Sequence, residues 1–303
     1  MNNVAPILLF TYKRLETLKN TVQALKSNKL ADESELFIFS DGAKDHKDEE
    51  VIAEIRTFIK TISGFKKVSI IESKHNKGLA TSIIDGVNSI FKEFHKVIVL
   101  EDDLITTPNF LSFMNECLNQ YNNDLTAFSV SGYSFNLGEV NHDTYDSYFL
   151  NRGWSWGWAT WKNRWDKVDW TVGDFEDFKK NRSARKKFSM GGSDLNKMLD
   201  MQMTGQLDSW AIRWFYHQFK VGGLTVYPVY SKVFNDGFDQ HATHTNGSIK
   251  RYLPRLDKEV KNNFILPTEA KISHYYQHQF IKKMGIRSRI ISKLETIFQK
   301  IFA

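Results

Sequence analysis

Short apolar runs alternate with helically spaced segments through the first hundred residues, and no other feature constrains the fold as much. Pro6-Ile7-Leu8-Leu9-Phe10 is followed by Leu15, Leu18, Val22 and Leu25 at the spacing of a buried helix face. Leu36-Phe37-Ile38-Phe39 breaks at Ser40-Asp41-Gly42 and gives way to Val51, Ile52, Ile55, Phe58 and Ile59. Val68-Ser69-Ile70-Ile71 precedes a third helical segment through Leu79, Ile83, Val87, Ile90 and Phe91, and a fourth run covers Val97-Ile98-Val99-Leu100. Repeated strand–helix–strand units imply a mostly parallel sheet with helices on both faces and ligands outside the strands' carboxyl ends. The predicted class is α/β.

Glu101-Asp102-Asp103 follows the fourth run directly. Three adjacent acids repel one another, so a fold tolerates them at a strand end when a cation or donor-rich ligand compensates. A solvated turn is the alternative for an isolated triplet. Its place at a βαβ strand end, where Asp41 also falls, favours a metal and nucleotide site. There is no G-x-G-x-x-G fingerprint and no G-K-[ST] phosphate loop, which removes the main support for a dinucleotide or P-loop reading.

The 303 residues suffice for a substantial core. We expect a nucleotide-binding half over residues 1–120, an acceptor and catalytic half over 121–250, and a C-terminal extension over 251–303. Cys117 is the single cysteine, which excludes an intramolecular disulfide and a Cys-rich zinc site and fits a reducing cytoplasm. No apolar stretch approaches the roughly 20 residues of a membrane span, and no signal peptide precedes the first strand. Of the formal charge of +6, most lies after Phe280, where Lys282, Lys283, Arg287, Arg289, Lys293 and Lys300 face Glu295 alone. Ile290, Leu294, Ile297, Phe298 and Ile301 add an apolar stripe at helical spacing. Such a helix suits the anionic inner face of the cytoplasmic membrane, or else docks on its own domain or a second subunit. Nucleic acid is not expected, because no recognition signature accompanies the basic patch.

From about Tyr121 the alternation fades. Six of the eight tryptophans fall within seventeen residues, at Trp154, Trp156, Trp158, Trp161, Trp165 and Trp170. Aromatic faces pack against sugar C–H surfaces, so Arg152, Trp154 and Trp156 are candidate ligand contacts; an aromatic core at a junction is the competing reading. Asp208 beside Trp210 and Trp214 is a candidate general base, its carboxyl desolvated by indoles, or an ordinary helix N-cap. The loop from Asn235 to His244 holds Asp236, Gly237, Asp239 and two histidines, a weak metal signal that could also meet phosphate.

These residues resemble the inverting GT-A glycosyltransferases, in particular the N-acetylglucosaminyltransferase I group and related bacterial transferases of surface polysaccharide synthesis. The likeness spans most of residues 6–244 and is most specific at Val97-Ile98-Val99-Leu100-Glu101-Asp102-Asp103-Leu104 with Pro108-Asn109-Phe110. The resemblance implies a GT-A, Rossmann-like fold with an aromatic-rich acceptor half and a nucleotide-sugar donor, UDP-linked. Glu101 would contact the donor sugar, Asp102 the ribose, and Asp103 a Mn²⁺ or Mg²⁺ ion bridging the diphosphate. Thr11 and Arg14 in the basic turn, Asp41 against uracil, His75, Trp210 and His244 would complete the substrate contacts. The family's base aspartate immediately precedes a tryptophan; here Ser209 holds that place and Asp208 lies one residue earlier.

The expected function is therefore metal-dependent, inverting sugar transfer to a glycan hydroxyl, on an acceptor that could be lipid-linked. Two alternatives stay open: a non-catalytic glycan-binding module on the same fold, and a metal-dependent phosphohydrolase or nucleotidyltransferase. If Asp208 is not the base, Asp236 and Asp239 come next.

Overall fold

The computed structural model describes residues 4–138, 144–237, 249–292 and 294. Its first hundred residues form β1 (Ile7–Thr11), α1 (Leu15–Lys26), β2 (Glu35–Ser40), α2 (His46–Ile59), β3 (Lys67–Glu72), α3 (Leu79–Ile90) and β4 (Lys96–Glu101). This is the order read from the apolar spacing. α2 begins well before Val51 because the Asp45 side chain accepts the Lys47 N–H and caps the first turn. Side chains alternate across the sheet. Ile7, Leu9, Ile98 and Leu100 pack with α1 and α2, whereas Leu8, Phe10, Val97 and Val99 pack with α3 on the opposite face.

The chain continues through β5 (Leu104–Thr106), α4 (Phe110–Gln120), β6 (Ala127–Ser131), β7 (Ser147–Leu150) and β8 (Trp158–Trp161). α5 (Lys162–Trp165), α6 (Phe175–Lys180), α7 (Arg182–Phe188), α8 (Leu195–Met203) and α9 (Trp210–Lys220) follow, then β9 (Leu224–Pro228), β10 (Val233–Asn235) and α10 (His274–Met284). Eight strands make one sheet in the order β3-β2-β1-β4-β8-β6-β9-β7. The first four are parallel, and β8 pairs antiparallel with both β4 and β6. The aromatic-rich half thus prolongs the same sheet.

From β1 the chain moves outward to β2 and β3, then crosses back to place β4 on the other edge of β1. Strand order reverses between β1 and β4, which opens a crevice at their carboxyl ends, the general location of ligand sites in such sheets. Phe10 lies opposite Glu101 in this pair, so the residues after each strand meet in the crevice.

The tryptophans correct one expectation. Trp158 on β8 packs against Trp165 and against Trp210 and Trp214 on α9 at centroid distances of 4.5–5.5 Å, on the α3 side of the sheet. An i, i+4 pair on one helix faces one way, and here it faces the core. Trp210 is 3% exposed and is a packing residue.

β10 pairs antiparallel with β5, the short strand immediately after the acidic triplet. The partnership is locked from below. Lys232 donates from Nζ to Asp257, Asn109 Nδ2 donates to the same carboxylate at 2.8 Å, and Thr107 N–H donates to the Lys232 carbonyl at 2.8 Å. Both charged side chains are 4% exposed. Breaking a buried pair from one side leaves an uncompensated charge, so we expect Lys232→Met to destabilise the fold by about 3–5 kcal/mol. Urea unfolding of the variant checks this, and a loss below about 1 kcal/mol would show that the pair does not hold β10.

Candidate active site

The acidic triplet closes β4 beside the residues that leave β1. Asp102 Oδ2 accepts hydrogen bonds from Thr11 Oγ1 at 2.9 Å and from the Tyr12 N–H at 3.1 Å. Asp103 Oδ2 accepts from Arg14 Nη1 at 2.8 Å. Thr11 and Arg14 thereby lie at the end of β1 beside the triplet, and the direct partners they hold are carboxylates. Burial, reinforced by Asp103 and then Asp102, pushes the Glu101 carboxyl up to about 8. Burial and the Asp103 charge raise Asp102 to about 6, against the opposing pull of the Tyr12 amide, the Thr11 hydroxyl and Arg14.

A backbone cover sits over this charge. The Asp236 N–H donates to the Asp103 carbonyl at 2.8 Å, and the Gly237 N–H donates to Asn235 Oδ1 at 2.8 Å. A Cβ on Gly237 would stand 2.0 Å from Asp103 Oδ2 and 2.8 Å from Arg14 Nη1. A side chain there would require the Asp103 carboxylate and the Arg14 guanidinium to move aside. Asp239 and His244 lie outside the described residues.

The second wall of the crevice is built around Asp41. Its Oδ1 accepts the N–H groups of Gly42 and Lys77, each at 2.9 Å, and its Oδ2 accepts those of Lys77 at 3.1 Å and Gly78 at 3.0 Å. Gly78 precedes α3 with φ of +75°, a conformation that suits glycine. A carboxylate at a helix N-terminus is also favoured by the helix dipole. Asp41 therefore clips the loop after β2 to the start of α3, and its acceptor capacity is largely committed to backbone. Asn76 Nδ2 donates to the Gly42 carbonyl at 3.0 Å, and the His75 backbone abuts Gly42 so closely that a Cβ there would stand 2.5 Å from it. The His75 side chain itself is exposed.

Asp208 stands at the same wall. Its Oδ2 lies 4.0 Å from the point where a Cβ on Gly78 would sit, and its Oδ1 is 3.7 Å from Arg213 Nη2. Ser209, not Asp208, caps α9: its Oγ accepts the Ile212 N–H at 3.4 Å. The capping alternative thus passes to the neighbouring residue. The expected desolvation by indoles is absent too, since the Asp208 side chain is 69% exposed while Trp210 turns into the core.

The aromatic candidates divide. Arg152 is 4% exposed and forks onto Asp194, with Nη1 at 2.8 Å and Nη2 at 3.0 Å, while Nη1 also donates to the Gly191 carbonyl. Its guanidinium lies 5.1 Å from the Trp154 ring, itself 8% exposed and packed on Tyr133 and Phe135. Arg152 and Trp154 are corrected to internal supports. Trp156, edge-on to Tyr133 and beside Tyr252, is partly exposed and remains accessible to a ligand.

Tyr12 went unread in the sequence. Its hydroxyl donates to Asp48 and accepts the Lys44 N–H at 3.2 Å, and burial followed by the Asp48 charge pushes it up to about 12. Its place two residues before Arg14, directly after a buried strand, was the available signal.

Among the described residues no cluster of three or more His, Cys, Asp or Glu is arranged to hold a metal. The triplet nevertheless fits a cation shared between Asp103 and ligand oxygens. Three carboxyls crowd one strand end, and burial together with the neighbouring carboxylates has raised two of them toward protonation.

The profile of Glycosyl transferase family 2 matches residues 7–182. The chain belongs to that family. The match includes β1 through β8 and hence Asp41 and the whole triplet, whereas Asp208 and Gly237 fall beyond it. The fold accords with the GT-A architecture of the resemblance. Two solved structures of low similarity are the mannosyltransferase PcManGT from Pyrobaculum calidifontis, in complex with GDP-Man and Mn²⁺, and TarS of S. aureus. The first is 13% identical with a TM-score of 0.35, covering 44% of this chain and 36% of its own; the second is 10% identical with a TM-score of 0.31, covering 46% and 24%. This chain thus matches well under half the length of either structure. No curated protein matches the sequence.

A raised carboxyl value costs stability as pH rises. Glu101 contributes fully below its ordinary value of 4.5, and that contribution is lost as pH climbs toward about 8, because the unfolded chain ionises freely while the folded one resists. In chelator, Glu101→Gln should melt roughly 2–4 °C above the parent at pH 8 and coincide with it at pH 4. Equal melting curves at both pH values would contradict the burial of this carboxyl.

Proposed function

We propose that the chain is a metal-dependent inverting glycosyltransferase, moving a sugar from a UDP-linked donor to a hydroxyl of a glycan acceptor in bacterial surface polysaccharide synthesis. The observation that carries this reading is the convergence, at the β1/β4 reversal, of the Thr11/Tyr12-pinned triplet with an Asp41 wall that also presents Asp208. Family membership supports sugar transfer, and the GT-A resemblance supplies the donor and the roles.

In this reading Asp102 keeps Oδ2 on Thr11 and Tyr12, so a ribose hydroxyl would be met by Oδ1. Glu101, protonated at neutral pH, offers an O–H donor to the donor sugar. Asp103 would hold Mn²⁺ or Mg²⁺ together with diphosphate oxygens, and such an ion stabilises the charge that develops on the departing nucleoside diphosphate. Asp208, exposed on the opposite wall, would take the acceptor proton in a single in-line displacement, which inverts the anomeric centre. Trp156 and Tyr252 would receive the acceptor sugar. The acceptor is a lipid-linked glycan, met at the inner face of the cytoplasmic membrane.

Asp103→Asn should abolish metal-dependent UDP binding in calorimetry and lower transfer by about 100-fold or more. Asp208→Asn should leave UDP binding near that of the parent and cut transfer by about 10²–10⁴-fold. Donor hydrolysis and transfer over a nucleotide-sugar panel provide the assay. Metal-independent UDP binding would sink the Asp103 role. A silent Asp208→Asn with active parent moves the base elsewhere, and a parent that binds glycan without turnover supports the binding-module alternative.

A further inference from the structure

α10 ends at Met284, and the chain resumes helically over residues 286–292. Between these two segments, the turn carrying Arg251 and the stretch at Asn136, lies a cavity of about 450 Å³. Arg251, Lys282 and Lys283 supply three cations to its wall, Gln279, Ser288 and Ser292 supply neutral polar groups, and no carboxylate lines it.

The three cations are not balanced by acids: among the described residues none of them forms an ion pair with a carboxylate. Arg251 donates from Nη2 to the Tyr252 hydroxyl, while its Nε is buried with no hydrogen-bond partner. An orphaned guanidinium nitrogen is costly unless an acceptor reaches it. Lys283 is half-buried, donates to the Asn136 carbonyl at 3.3 Å, and is pulled below its ordinary value first by burial and then by Arg251. Like charges gathered in a polar hollow create a potential that an oxyanion relieves, and guanidinium with ammonium groups is the donor set that phosphate prefers.

The rim adds a second property. Ile286, Ile290 and Leu294 recur at i, i+4 and i+8 and are 67%, 55% and 49% exposed, and Ile291, itself a lining residue, is 57% exposed. An apolar ridge beside a cationic hollow matches an amphiphile, with its phosphate in the hollow and its hydrocarbon along the ridge.

We propose that the cavity walled by Arg251, Lys282 and Lys283 is a binding site for the phosphate headgroup of an anionic membrane lipid, which seats the 286–292 helix on the bilayer. This does not depend on the sugar-transfer reading, and its failure would leave that reading intact.

The test is co-sedimentation of the full chain with phosphatidylcholine vesicles, alone or containing phosphatidic acid. The parent should pellet only with phosphatidic acid. Arg251→Gln with Lys283→Gln should weaken binding about 10-fold or more, whereas Lys186→Gln with Lys187→Gln, an equal charge loss on exposed α7, should change it less than about 3-fold. Ile291→Glu, at an exposed position that folding tolerates, should also release the chain, so the result does not hinge on the folding of the Arg251/Lys283 variant. Inorganic phosphate should compete for the parent.

A parent that stays in the supernatant overturns the proposal. So does equal loss in the α7 and pocket variants, which would mean general charge attraction. Calorimetric binding of inorganic phosphate without vesicle binding overturns it as well, by assigning the pocket to a free ion.

Discussion

Everything at the crevice follows from holding three consecutive carboxyls at one strand end. The residues leaving β1 answer them in turn: the Thr11 hydroxyl and Tyr12 amide take Asp102, and the Arg14 guanidinium takes Asp103. Among the described residues Glu101 receives no comparable hydrogen bond, and burial beside Asp103 pushes its carboxyl up to about 8. Parallel pairing of β1 with β4 is what brings donors and acceptors to the same level, so the sheet register and the electrostatics are one constraint.

That constraint was readable because it is local. Each βαβ unit announces itself by its spacing, and the triplet directly follows its strand in the chain. What could not be read depends on distant pairings. β5 and β10 are three-residue strands separated by more than a hundred residues, and nothing in either tells of the other. Arg152 looks like a ligand contact until Asp194 is seen to receive it. The tryptophans misled for another reason: abundance says nothing about direction. The i, i+4 relation of Trp210 and Trp214 did hold a clue, since a helix face of two indoles in a chain with a sheet to cover belongs against that sheet. Similarly, Ser209 could have been recognised as the cap, leaving Asp208 outside the helix with its carboxylate uncommitted to it.

The family profile ends at residue 182, yet the crevice does not. Two later segments complete it, Asp208 before α9 and Asp236-Gly237 after β10, both carried by the part of the chain that prolongs the sheet beyond β4. The triplet and the Asp41 wall are built at the ends of the parallel strands, whereas Asp208 and Gly237 come from elements packed beside them. Asp41 has a related role: by binding three amides in two loops it makes the end of β2 and the start of α3 one rigid wall, against which Asp208 is set.

The glycine over the triplet sets how closely the two ends of the site can approach. With 2.0 Å between an imagined Gly237 Cβ and Asp103 Oδ2, the backbone after β10 rests directly on the carboxylate, and Arg14 lies beside it. Any side chain at this position would have to displace the Asp103 carboxylate or the Arg14 guanidinium first. That backbone leaves the β5–β10 ladder, so the same short pairing that follows the triplet also fixes what can stand above it. Residue 237 is thus a spacer: its missing side chain is what lets the later half of the chain close down on the charge that the earlier half presents.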